Sequence, residues 1–113
     1  MTKDPLVHLR QIHEAIRKIE RFTASGREVF LEDVLIQDGV ILNLALIGEA
    51  VKNLPENVTA ESPQIAWSDV ARMRDILIHH YDGTDIHIVW DTVERFLPPL
   101  KKAVAKSLKK RAA

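Results

Sequence analysis

The segment RDILIHHY, Arg74 to Tyr81, sets an Arg, an Asp, two His and a Tyr around Ile76, Leu77 and Ile78. Trp67, Val70 and Met73 lead into it at helical spacing, which predicts a helix from about Ala66 or Trp67 to Tyr81. Asp82-Gly83 supplies the stop. A guanidinium holds a phosphate by charge and forked hydrogen bonds, and an imidazole moves protons near neutral pH. Both groups on one otherwise apolar helix point to chemistry on a phosphodiester.

Helix geometry constrains which of these groups can cooperate. Arg74 and Tyr81 are seven apart and fall within about 20° of each other, whereas His79 lies roughly 140° around the axis from Arg74. An ideal helix therefore does not bring Arg74 to His79. A reaching Arg side chain, a distorted last turn or a second subunit could close the gap. Arg72 shares a face with His79, so spacing alone leaves both arginines open. Neighbouring His79 and His80 point about 100° apart and cannot readily chelate one ion. His8 with His13, and His87 with Asp91, lack an evident third ligand, so no dedicated metal site is expected. No Ser sits in a distinctive elbow. The lack of a glycine-rich phosphate loop argues against nucleotide hydrolysis.

The elements that must position this segment all read as helical. Asp4 is a candidate N-cap with Pro5 in the first turn, and Leu6, Leu9, Ile12, Ile16 and Ile19 follow at three-to-four spacing. Thr23 to Gly26 breaks that helix. A second helix is expected from about Arg27 into the Lys52 region. Around VILNLALI it is apolar on nearly all sides, as suits a central helix or a subunit interface. Pro55 and Pro63 bracket the longest loop. Asp85 or Thr84 can cap a helix whose apolar face is Ile86, Val89, Trp90, Val93, Phe96 and Leu97. Pro98-Pro99 must kink or restart it.

Composition sets the bounds. The 113 residues suffice for one domain with a single core, and with no Cys the disulfide scaffolds, thiolate zinc sites and Cys nucleophiles are excluded. That absence suits a cytoplasmic protein. The start is polar within four residues, and the apolar run Val40 to Ile47, broken by Asn43, is too short to span a bilayer, so no membrane role is expected. Net charge is zero, yet residues 101–111 carry six bases and no acid. Lys101, Lys102, Lys106, Lys109 and Lys110 are candidate phosphate contacts, because a basic segment binds phosphates non-specifically, and Arg72 on the motif helix is another. Complementing a helix dipole is the alternative for the tail.

The chain resembles a known family in MRDILIHHYDGTD, Met73 to Asp85. The stretch is similar to the signature of the HepT-like toxins, a branch of the HEPN domains: an Arg, a polar residue, three positions, a His, any residue, then Tyr. Arg74, Asp75, His79 and Tyr81 match it in order, which favours Arg74 over Arg72. IGEAVKNLP (Ile47 to Pro55), Trp67 and VWDTVERFLPPL (Val89 to Leu100) stand where the family has similar segments. The similarity runs from about residue 5 to 100.

The resemblance implies an all-α, antiparallel four- to five-helix bundle filling residues 1–113 as one domain, with a basic C-terminal segment 101–113. It implies a homodimer whose motif helices meet at a cleft, which would supply the proximity one helix lacks. Catalytic members are metal-independent endoribonucleases that need no cofactor. The RNA 2′-hydroxyl attacks its own phosphate and leaves a cyclic end. His79 would be the general acid or base, Arg74 would hold the scissile phosphate, and Asp75 would orient one of them. The family's partner is a minimal nucleotidyltransferase antitoxin that adenylylates the motif tyrosine, here Tyr81, and a larger hetero-oligomer with it is a further option. The competing expectation is a non-catalytic helical module that binds the nucleotidyltransferase or a nucleotide.

Overall fold

The computed structural model describes residues 4–79 and 81–111, with the backbone alone for Tyr81. Every element among the described residues is helical. The first helix, α1 (Pro5–Phe22), starts as its sequence dictates: the Asp4 carboxylate accepts from the Leu6 amide at 3.0 Å and Pro5 needs no amide partner. It ends in a turn that Gly26 leaves with φ of +95°, a conformation other residues rarely adopt.

The expected second helix is two. Helix α2 (Arg27–Glu32) stops at Asp33, and α3 (Val34–Lys52) begins there with the Asp33 carboxylate accepting from the Ile36 amide. The apolar periodicity runs through the break and hides it. Gln37 makes the break tolerable: its buried side-chain nitrogen donates to the Phe30 and Leu31 carbonyls at the end of α2, satisfying acceptors that a continuing helix would have used. In the Pro55–Pro63 loop a short helix, α4 (Glu56–Thr59), forms.

Helix α5 (Trp67–His79) carries the polar motif, and a 3₁₀ turn, Tyr81–Gly83, stands where the helix is expected to end. Trp67 anchors its start by donating from the indole nitrogen to the Ser62 carbonyl at 2.9 Å. Helix α6 (Ile86–Asp91) is capped by Asp85, which accepts from the His87 amide at 2.8 Å. A π turn (Thr92–Phe96) follows, and the rod resumes as α7 (Leu97–Arg111). Pro98 and Pro99 cannot donate to the preceding turn. The wider π turn changes the register just before them, with the Leu97 amide reaching back to the Thr92 carbonyl.

Helix α3 is the centre. It packs on α1 along one flank and on α5 along the other, while α7 lies across α1. Leu9, Ile12, Ile16 and Ile19 of α1 pack with Val40, Leu44, Ile47 and Val51 of α3, all but fully buried. Each such side chain contributes roughly 1.5–3 kcal/mol relative to exposure. By length and mean hydropathy α3 could cross a membrane, although its uninterrupted apolar run looks too short in the sequence; half of the helix is buried inside the bundle, which marks it as a core helix. Its third flank is open. Leu35, Leu42 and Leu46 are 82, 57 and 50 % exposed, and their spacing puts them within about 40° on one face.

Candidate functional site

Arg74 emerges from the seam between α3 and α5. A Cβ added at Gly48 would stand 2.9 Å from both the Arg74 amide nitrogen and the Val70 carbonyl oxygen. The absent side chain at 48 therefore lets the two backbones close on each other beside Arg74. The next residue, Glu49, receives the Arg74 Nε at 3.4 Å, and Asp75 receives Nη1 at 3.0 Å. One turn further along α3, Lys52 reaches the other Asp75 oxygen at 3.3 Å. The result is a four-membered chain, Glu49–Arg74–Asp75–Lys52, with alternating charge. The Arg74 hydrogen bond, followed by that of Lys52, holds the Asp75 carboxyl below its ordinary range. Its members are between two- and three-fifths exposed, so solvent screening leaves these pairs little weight in stability. The network fixes the direction of a guanidinium rather than the fold.

The structure brings Asp75 to Arg74 and leaves His79 apart. Helix α5 is regular through His79, so the two side chains leave it about 140° apart and about 7.5 Å apart along the axis. No distortion up to His79 closes that gap. His79 is exposed at the helix end. Arg72 does not join the network; it pairs with Asp69 on the outer surface of α5. Tyr81 opens the 3₁₀ turn, but its side chain and the whole of His80 lie outside the described residues. Among the described residues, no group of three His, Asp or Glu side chains stands close enough to hold a metal ion.

The basic tail is more occupied than its sequence suggests. Lys101 pairs with Glu20 at 2.9 Å. Glu61 collects Arg111 at 2.7 Å, Lys110 at 3.4 Å and the Ser107 hydroxyl at 2.7 Å, while Lys106 donates to its backbone carbonyl. The Arg111 hydrogen bond leads in lowering the Glu61 carboxyl to about 2. These contacts staple α7 to the loop after α4. Lys102 and Lys109 remain exposed.

Sequence reasoning missed Gly48, Glu49 and Lys52 as parts of the site. The signal was present, because all three lie in the GEAVKNLP stretch and recur at helical spacing on the flank that faces α5.

The all-helical bundle, with an Arg held by carboxylates on an outward helix and a His at that helix's end, fits a HEPN-like domain. Comparison with known proteins narrows the class. A family model described as ribonuclease HepT-like matches residues 12–107. The chain is 46 % identical over 98 residues to a protein of Thermococcus cleftensis named "Probable ribonuclease HepT", covering 83 % of this chain and 86 % of that one. It is 37 % identical over 109 residues to a candidate RNase of Caldanaerobacter subterraneus, covering 96 % of this chain and 97 % of that one. A Methanocaldococcus jannaschii protein named as a gamma-glutamylcyclotransferase and candidate RNase is 39 % identical over 107 residues, 94 % of this chain. The chain spans about half the length of that relative, 48 %. No solved structure matches. The chain belongs to the ribonuclease HepT-like family.

Proposed function

We propose that this protein is a metal-independent endoribonuclease, the toxin of a toxin–antitoxin pair, with Arg74 and His79 as its catalytic residues. The observation that carries the proposal is the network that aims Arg74, in a chain of a ribonuclease family. Glu49 and Asp75 engage Nε and Nη1, and a guanidinium has five donors in all, so its outer edge can still meet a phosphate. The 2′-oxygen of RNA attacks the adjacent phosphorus, and the bond to the 5′-oxygen breaks. The products are a 2′,3′-cyclic phosphate and a 5′-hydroxyl. His79 takes the 2′ proton or returns one to the leaving oxygen, and Arg74 stabilises the charge gathering on the phosphate. Asp75 keeps Arg74 in place.

Separation of Arg74 from His79 within one chain calls for a second copy. The exposed leucine stripe of α3 runs toward Glu49, and exposed apolar surface of this extent marks an interaction site. Two copies joined there would bring the ends of both α5 helices to one cleft, where Arg74 of one copy can serve His79 of the other. The antitoxin would be a minimal nucleotidyltransferase that places AMP on Tyr81. A bulky anion about two helix turns past Arg74, on the same face, would crowd the phosphate position and repel RNA.

The test is cleavage of total RNA in EDTA by the protein made without a nucleotidyltransferase, beside His79→Ala, with product ends read for cyclic phosphate. Cleavage by the wild type alone is expected. Loss of all wild-type cleavage in EDTA would refute the metal-free route. No cleavage under any condition, with Tyr81 shown unmodified by intact mass, would turn the assignment to a non-catalytic module that binds the nucleotidyltransferase or a nucleotide.

A further inference from the structure

On the far side of Glu49 from Arg74, helices α1 and α3 part to form a cleft of about 510 Å³. Its lining is mixed. Gln11, Glu14 and Lys18 come from α1, Asn43 and Leu46 come from α3, and Asn53 is the C-cap of α3. Asn43 is the telling member, because it is the one polar residue in VILNLALI and is only 5 % exposed. Its amide nitrogen spends one hydrogen bond on the Gly39 carbonyl at 2.8 Å. A leucine would fill an apolar position there more favourably, so an amide in the wall of a cleft suits a ligand that hydrogen-bonds. Ala15 and Ala50 keep the floor shallow, and half-exposed Leu46, where the leucine stripe borders the cleft, offers an apolar edge beside the amides.

We infer that this cleft is a nucleobase subsite, receiving the base next to the phosphate held by Arg74 and thereby setting which RNA sequence is cut. The inference rests on the ribonuclease reading above. Glu49 belongs to both places: its carboxylate holds Arg74 and the residue also lines the cleft. Asn43 lies six residues from Glu49, about 9 Å along the helix, within reach of a nucleotide flanking that phosphate. Amides and carboxylates in pairs read base edges, and an apolar side chain packs on the base face. The charges along the lining, Lys18 and Arg10 against Glu14 and Glu49, balance. That balance suits a neutral base better than a second phosphate.

The deciding experiment titrates the full-length, isotope-labelled protein with a 2′-O-methyl hexanucleotide, which has no free 2′-hydroxyl and cannot be cut. The side-chain amide resonances of Asn43, Asn53 and Gln11 and the Nε–H resonance of Arg74 are followed together. All four should move on one binding curve, and the affinity should differ between hexanucleotides of different sequence. Replacing Gln11 and Asn53 together by Ala should weaken the preferred sequence about tenfold, the worth of one good base-edge contact, and leave the others nearly unchanged. Movement of Arg74 with still amides would overturn the subsite and spare the ribonuclease reading. Movement of neither would remove both. An equal loss of affinity for every sequence in the double variant would also overturn the subsite, since it would then hold backbone rather than base.

Discussion

Gly48 and Arg74 meet backbone to backbone: a Cβ on Gly48 would stand 2.9 Å from the Arg74 nitrogen and 3.0 Å from the Arg74 Cβ. Gly48→Ala must push α3 and α5 apart, because neither neighbour is a flexible side-chain tip. A loss of about 1–3 kcal/mol in urea unfolding is expected, with cleavage falling further than stability explains as Arg74 shifts. Gly83→Ala is the control. Nothing lies within 4 Å of a Cβ there, so its stability should stay within about 0.5 kcal/mol of wild type.

The forked contacts of Arg74 make a conservative replacement costly. Arg74→Ala should lower kcat/KM by about 100-fold or more, the usual worth of one donor to a developing oxyanion. Arg74→Lys should recover only part of it, because an ammonium cannot hold Glu49 and a phosphate with one planar group. Wild-type rates in Arg74→Lys would count against phosphate clamping. Glu49→Gln should slow cleavage roughly tenfold while leaving the melting temperature alone, as expected of an exposed pair that orients rather than stabilises.

The leucine stripe of α3 predicts a mass in light scattering of twice the chain at micromolar concentration. Leu35→Glu with Leu42→Glu should halve that mass without changing helix content, since both side chains are more than half exposed already. The same variant should lose cleavage, because Arg74 and His79 could then no longer meet across copies. A wild-type monomer that cuts RNA would end the composite-site proposal.

Glu61 makes the stability of the tail depend on pH. Its carboxyl lies near 2 in the folded chain against an ordinary value of 4.5. A depressed folded value contributes stability that is complete above 4.5 and fades as pH falls toward 2. Glu61→Gln should flatten the unfolding curve in that window. At neutral pH it should lose about 2 kcal/mol, the scale of hydrogen bonds to a charged group.

Much of the site was legible because helical spacing is a local property. Asp4, Asp85 and the turn at Gly26 could be placed from residue type, and the family signature singled out Arg74 over Arg72, which the structure finds paired with Asp69. Asp33 was not legible as a break. An N-cap inside an apolar-periodic stretch leaves the period intact, and the Gln37 side chain that sustains it acts seven residues from Phe30.

The sequence by itself determined an all-helical chain, the helix that carries Arg74, Asp75 and His79, and the wrong angle between Arg74 and His79, since all of these follow from the turn of one helix. Only the tertiary structure decided which groups surround Arg74. Glu49 and Lys52 lie more than twenty residues from their partners, and nothing local couples them. They meet because Gly48 lets two helix backbones approach, and that approach exists only once α3 is buried between α1 and α5.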